Sequence, residues 1–274
     1  MIWENENLSK WVIDIYIRGP IEIEHNIFFS TRKDIKYNEP LYSDITIKKE
    51  KNEIILSVNS FAKDAQLGQK IALIFSGLAL DVLSTYIKIP LYASLDKQNQ
   101  ELISLTDKVR RIIPKDEWKF AFEESRLLQF TEPIFLKALG WYRKGLITED
   151  PLDKFLAFWN SIEIVATKYH TKTEKTKQGS KKQIRQCFID LWGNIENWEL
   201  IAGNQDWIND NYEIRKNIAH GIKPINIDTI EEITSELQTI EKLVHIFLIE
   251  WRAKKLSPED KVTPEIQEKL EKKG

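Results

Sequence analysis

The chain predicts an α+β N-terminal domain followed by an all-α C-terminal helical bundle, predominantly helical overall. Three observations carry this. The first sixty residues read as short β-rich runs broken by turn residues. From Ala62 the apolar spacing changes from two to a helical period. Beyond about residue 111 every apolar-periodic stretch has helical spacing, and most of the nine tryptophans fall there, which argues for an aromatic core.

The first strand is Trp11-Val12-Ile13-Asp14-Ile15-Tyr16-Ile17, which stops at Gly19-Pro20. Ile45-Thr46-Ile47-Lys48 and Glu53-Ile54-Ile55-Leu56-Ser57-Val58 flank Lys51-Asn52, the expected tip of a hairpin. From Ala62 to about Ile87, Leu67, Ile71, Ile74, Leu78, Val82 and Tyr86 form a helical stripe, expected to cover the strands. Ile89-Pro90-Leu91 ends it, because proline disfavours helix in the residue before it.

Six helices are expected after residue 111: Asp116 to Leu128, Glu132 to Lys144, Pro151 to Tyr169, Lys181 to Trp192, Asp206 to His220, and Thr229 to about Lys254. The third has the plainest start, with Asp150 at N-cap and Pro151 at the first helical position. Its stripe is Leu152, Phe155, Trp159, Ile162 and Ala166; the sixth packs through Ile233, Leu237, Ile240, Val244, Phe247 and Trp251. Domain boundaries follow at 1–110, 111–257 and a charged tail at 258–274.

Hydrophobic residues at 42% and charged residues at 30% are an ordinary soluble balance. A net charge of −2 excludes a generally basic nucleic-acid coat, so a polyanion must be met by a local patch. The single cysteine, Cys187, allows no internal disulfide and fits a reducing cytosol; beside Ile184, Phe188 and Leu191 it reads as a buried small hydrophobe. Met1 to Glu6 lack the basic start and apolar core of a secretory signal. The longest apolar run, Ile71 to Leu83, is shorter than a bilayer requires and contains Asp81. The expectation is a cytoplasmic protein with no membrane partner.

The most informative stretch is Arg215-Lys216-Asn217-Ile218-Ala219-His220, followed by Gly221. It places a planar phosphate-binding guanidinium close to a side chain able to act as base and acid near neutral pH. At about 100° per residue the two lie roughly 140° apart on a helix, so one face does not hold both. They can line one cleft if a second helix or second subunit supplies the opposite wall. The plainer reading makes Arg215 a solvated helix residue and His220 a C-terminal one favoured by the helix dipole, with Gly221 as the αL cap and Pro224 beyond.

Glu163 is the next candidate, four positions after Trp159 and on or beside the apolar stripe of its helix. A carboxylate there is either paired or raised in pKa, and it could orient Arg215 or His220; it could equally snorkel to water. Lys168 to Arg185 holds six Lys and one Arg against the single acid Glu174, and reads as a flexible basic loop. Lys172, Lys175, Lys177, Lys181 and Lys182 would draw in RNA backbone by a salt-dependent, sequence-blind attraction, or simply be solvated.

Other chemistries are poorly served. His25, His170, His220 and His245 are scattered and show no zinc spacing, and Gly179-Ser180-Lys181 lacks the upstream glycine of a phosphate loop. No GxSxG elbow is present. Asp206 and Asp210 could share a metal on one helix face, but acids near a helix N-terminus are explained by the dipole. No metal or other cofactor is expected.

Phe155-Leu156-Ala157-Phe158-Trp159-Asn160-Ser161-Ile162-Glu163 on one helix, with Tyr212-Glu213-Ile214-Arg215-Lys216-Asn217-Ile218-Ala219-His220-Gly221 further on, resembles the HEPN superfamily. The closest branch is the Apea-like HEPN proteins, over roughly residues 130–255. The family's Arg, four to six residues, then His is met with an interval of four. The resemblance implies an up-and-down bundle that commonly dimerises, bringing two Arg–His motifs to one composite cleft. Many members are metal-independent endoribonucleases in toxin, antiviral and RNA-processing systems; others are non-catalytic modules binding nucleotide, RNA or a protein. Here the expected catalytic pair is Arg215 and His220, supported by Asn217, Glu163 and Lys216. Many active members place Asn, Asp or His directly after the arginine, where this chain has Lys216, with Asn217 next. The expected partners are RNA, a second copy of the chain through the bundle, and a regulatory protein or nucleic-acid trigger. A sensing, substrate-selecting or docking role is left for the N-terminal domain.

Overall fold

The computed structural model describes residues 8–30, 42–50, 53–96, 109–201, 204, 206–221 and 226–256. The described residues divide into two compact units, up to Leu127 and from Leu128 onward. The expected charged tail and the hairpin tip Lys51-Asn52 lie outside the described residues.

In the first unit, β1 (Ser9–Arg18), β3 (Ile27–Phe29), β4 (Tyr42–Glu50), β5 (Glu53–Ala62) and β6 (Tyr92–Ser94) form a five-stranded sheet in the order β3-β4-β5-β1-β6, every pair antiparallel. Two-residue strands β2 (Ile21–Glu22) and β7 (Arg111–Ile112) pair in parallel beside it. The alternation read in β1 sends Ile13, Ile15 and Ile17 into the core. Asp14 points the other way and accepts a 2.6 Å hydrogen bond from Ser57. Glu50 pairs with Glu53, so β4 and β5 are the two arms of the expected hairpin.

Along β4 the register shifts between Ser43 and Ile45, and Asp44 sits there with φ of 44°. Burial alone would raise the Asp44 pKa. Hydrogen bonds from Asn59, Ser30 and Ser43 outweigh that and hold the carboxyl below the ordinary aspartate value.

The covering helix α1 (Ala65–Ile87) packs on β5 and β1. Its N-cap is Asp64, whose carboxylate accepts from the Leu67 N–H at 2.8 Å. The buried face differs from the one expected. Ile71 and Val82 are buried, but Leu67, Ile74 and Tyr86 are exposed, and Phe75, Ala79 and Leu80 take their place. The cause is a helix apolar on nearly every side, whose period marks no single face. Small residues then choose the side that comes closest. A β-carbon on Gly68 would lie 3.2 Å from the Trp11 ring, and Ala72, Ser76 and Ala79 continue that buried row. By length and composition α1 is the one helix among the described residues able to cross a bilayer, and 61% of its apolar window is buried within the protein.

Helix α2 (Lys115–Thr131) was expected to open the helical domain, with a boundary at 110/111. The units instead divide between Leu127 and Leu128, inside α2. Its first turns carry Trp118 and Phe122, both buried, and Phe122 meets Phe29 of β3 edge-on at 5.6 Å. Aromatic packing thus ties the start of α2 to the sheet.

The second unit is helical: α3 (Pro133–Ile147), α4 (Pro151–Tyr169), α5 (Ser180–Trp192), α6 (Trp207–His220) and α7 (Ile227–Lys255). At its centre, α4 packs against α3, α5, α6 and α7. Asp150 caps it as expected, accepting from the N–H groups of Leu152 and Asp153 at 2.9 and 3.0 Å. Being surrounded, α4 buries Ala157, Phe158, Ser161 and Val165 in addition to most of the expected stripe. Contact with α3 is tight at Gly145, where a β-carbon would sit 2.5 Å from the Phe158 ring. In α7 the expected stripe is buried except at Leu237, which is half-buried. Cys187 is fully buried, and burial, aided by Asp190, pushes its thiol far above the ordinary cysteine value. Its burial suits the small-hydrophobe role expected of it.

Candidate functional site

The helix that carries the candidate residues is fixed at both ends. At its start Trp207 is buried and its ring lies 6.2 Å from that of Trp159 on α4. At its end Gly221 adopts φ of 59°, and its N–H reaches back to the carbonyls of Asn217 and Ile218. Between these ends Trp207, Ile208, Asn211 and Ile214 form the buried face. Their spacing of one, three and three residues is the helical period.

Arg215 borders that face and turns towards α4. Its Nη2 lies 3.2 Å from Oε2 of Glu163, with the two side chains 24% and 19% exposed. Glu163 is four residues after Trp159, so two rungs join α4 to α6: an aromatic rung, Trp159 with Trp207 and Tyr212, and an ionic rung, Glu163 with Arg215. A half-buried, charge-assisted pair holds the guanidinium plane more firmly than an exposed one. Its remaining N–H groups suit the oxygens of a phosphate.

His220 lies in the last turn of α6 and is exposed. No hydrogen bond or ion pair to a described residue engages it. Within one chain, Arg215 faces α4 and His220 stands at the free end of the helix.

Lys216 is drawn away, its Nζ 3.1 Å from Glu213 Oε2. Asn217 is half-buried and, with Leu152, Ile214, Ile218, Thr229 and Ile233, lines a largely apolar cleft of about 280 Å³ between the start of α4, the end of α6 and the start of α7. Neither makes a side-chain hydrogen bond or ion pair with Arg215.

The basic segment is not the flexible loop expected. Residues Lys175–Gln178 form a 3-10 turn and α5 begins at Ser180. Thr176 is buried, and Thr173 and Thr176 exchange hydrogen bonds between their backbone N–H groups and hydroxyls at 3.0 and 3.3 Å. Such local side-chain bonds order a segment that composition alone marks as loose. Lys181 stands 5.0 Å from the Tyr212 ring centre and 3.9 Å from Glu213, tying α5 to α6. Lys177 pairs with Glu174 at 2.7 Å. Lys172, Lys175 and Lys182 are exposed and have no ion pair with another described residue. The expected cationic surface thus comprises three unpaired lysines, one surface pair and one interhelical clasp.

One residue near the site escaped the sequence reading. Asn211, one turn before Arg215, is 1% exposed. Its spacing from Arg215 was the available signal, since i and i+4 share a helix face. Asp206 and Asp210 sit exposed at the start of α6, and no described group of His, Cys, Asp or Glu is arranged to hold a metal.

Against known proteins, the family described as Methylamine utilization protein MauJ matches residues 138–249, from within α3 to within α7, less than half of the chain. That segment includes Glu163, Arg215 and His220. No curated protein and no solved structure matches.

Proposed function

We propose that the helical unit is a metal-independent endoribonuclease of HEPN type, cytoplasmic, acting as an effector in prokaryotic antiviral defence or in a toxin or stress response. The observation that carries the reading is Arg215, held against α4 by Glu163 on a helix whose exposed end bears His220. His220 removes the proton from a ribose 2′-hydroxyl, and the 2′-oxygen forms its bond to phosphorus. Arg215 stabilises the negative charge that gathers on the phosphorane oxygens. The bond to the 5′-oxygen then breaks, that oxygen takes up a proton, and a 2′,3′-cyclic phosphate remains. The test is purified protein with mixed RNA in EDTA, beside a His220→Ala control. Cyclic phosphate ends in the wild-type lane alone support the reading; 3′-hydroxyl ends, or a requirement for Mg²⁺, overturn it.

A second reading has an observation of its own. Arg215 is paired with Glu163 on α4 while His220 is exposed with no hydrogen bond or ion pair to a described residue, which suits a non-catalytic HEPN module binding nucleotide, RNA or a protein. The matched family is named for methylamine utilization, a process and not a reaction, and so leaves the chemistry of this pair open. Oligomeric state separates the two readings. If the site is composite, the protein is a homodimer through the helical unit, with a two-fold axis bringing His220 of one copy towards Arg215 of the other. Sedimentation should then give a dimer at micromolar concentration. A monomer that still cuts RNA removes the composite site; a monomer that binds RNA without cutting favours the module.

The lysines predict a salt effect. Neutralising Lys172, Lys175, Lys177, Lys181 and Lys182 together should weaken binding similarly for every RNA, each lost phosphate contact lowering the salt slope by about 0.7. Since Lys177 and Lys181 already have acidic partners, most of the change should come from Lys172, Lys175 and Lys182. A triple variant of those three that keeps the wild-type slope would show that RNA enters by another face.

A further inference from the structure

We propose that Asn211 positions Arg215, its amide oxygen serving as acceptor for the guanidinium Nε–H. Asn211 is buried, yet its Oδ1 has no hydrogen-bond partner. The Nε of Arg215 is likewise buried and unpartnered. An orphaned acceptor and an orphaned donor thus lie four residues apart on one helix, the spacing at which side chains adjoin. Helical side chains lean back towards the N-terminus, which carries the Arg215 stem over the turn of Asn211. The other end of the amide is already committed, its Nδ2 donating to the Trp207 carbonyl at 3.0 Å. This leaves Oδ1 as the free atom and fixes the plane of the group.

Two other donors of the α4–α6 interface lack partners, the indole N–H groups of Trp159 and Trp207. The guanidinium is the stronger claimant, because a charged donor makes the shorter and stronger hydrogen bond. With Nη2 on Glu163, Nε–H is the guanidinium donor that a rotation about the Arg215 stem would turn towards Oδ1. The guanidinium would then be gripped on two sides, by a carboxylate from α4 and an amide from its own helix, with Nη1 left for a phosphate. Asn211 touches no substrate and acts only through Arg215. Unsatisfied buried polar atoms are rare enough that each calls for a cause, and here one contact answers two of them.

The experiment is solvent exchange of the Arg215 Nε–H by ¹⁵N NMR on the full chain, its signal identified by its loss in Arg215→Lys. Wild type should exchange more slowly than exposed arginines. Asn211→Leu should speed exchange about tenfold, the effect of losing roughly one hydrogen bond, while Asn211→Asp, which keeps the oxygen, should not. An unchanged Arg215 signal in a folded Asn211→Leu protein, or a response confined to the tryptophan indoles, overturns the proposal. If Asn211→Leu does not fold, wild-type exchange as fast as that of exposed arginines overturns it instead. A second arm rests on the ribonuclease reading: Asn211→Leu should lower kcat by about tenfold with KM little changed, and Asn211→Asp should recover most of it. A wild-type protein that cuts no RNA, yet shows the exchange pattern, defeats the ribonuclease reading and leaves the role of Asn211 standing.

Discussion

Replacing His220 by alanine should lower RNA cleavage by on the order of 10²-fold or more, and Arg215→Ala should do at least as much. The two losses should differ in kind. His220 is exposed and makes no hydrogen bond or ion pair with a described residue, so its removal should leave melting temperature and RNA affinity near wild type. Arg215 is half-buried against Glu163, and its truncation leaves a half-buried carboxylate without its ion-pair partner. Some loss of stability should therefore accompany the loss of rate. Arg215→Lys separates the two, since it keeps the charge near Glu163 and loses the planar fork that grips phosphate. A lysine variant that cuts RNA like wild type would reduce Arg215 to a simple cation. A His220→Ala protein with full activity would remove the proposed base altogether. DNA, which has no 2′-hydroxyl, should survive in every lane.

The chain's own local rules made its helical unit easy to read. Asp150-Pro151 announces the start of α4 because a side-chain acceptor must satisfy the first amides and proline fits the first turn. Gly221 announces the end of α6 because a left-handed residue costs glycine least. Glu163 stood out as a carboxylate near an apolar stripe, and it is paired, with Arg215 as the partner. That pairing joins residues 52 positions apart, and no periodicity within either helix contains it.

Less was legible where tertiary contact chooses among locally equal options. The apolar circumference of α1 gives no preferred face, and small side chains against Trp11 decide it. The start of α2 carries the same helical pattern as the bundle, yet Phe122 packs on Phe29. Short strands such as β3 and β6, of three residues each, are too brief to show an alternation and exist by pairing with β4 and β1. The lysine-rich segment misled by composition: charge predicts solvation, but the two threonines within it make a hydrogen-bonded turn and Lys181 lies on an aromatic ring.

Trp159→Ala should be the most damaging single change to the helical unit, costing about 3–5 kcal/mol. Trp159 is fully buried at the middle of α4. Its ring has Phe155 stacked at 6.3 Å, Trp207 at 6.2 Å and Tyr212 edge-on at 6.4 Å between ring centres. Phe155 belongs to α4 itself, whereas Trp207 and Tyr212 belong to α6, so the cavity opens along the seam that carries the candidate site. With the aromatic rung gone, the Glu163–Arg215 pair is the rung that remains between α4 and α6, and a partly exposed ion pair is worth far less than the buried ring. Denaturant unfolding followed by circular dichroism should show a lower midpoint with an unchanged slope, the sign of lost stability in an otherwise intact fold. Trp159→Phe should lose much less, since it retains an aromatic surface in contact with both neighbours. Should Trp159→Ala cost under about 1 kcal/mol, against the range expected for a buried tryptophan, the seam is not what fixes α6, and the placement of Arg215 must come from the two ends of its helix.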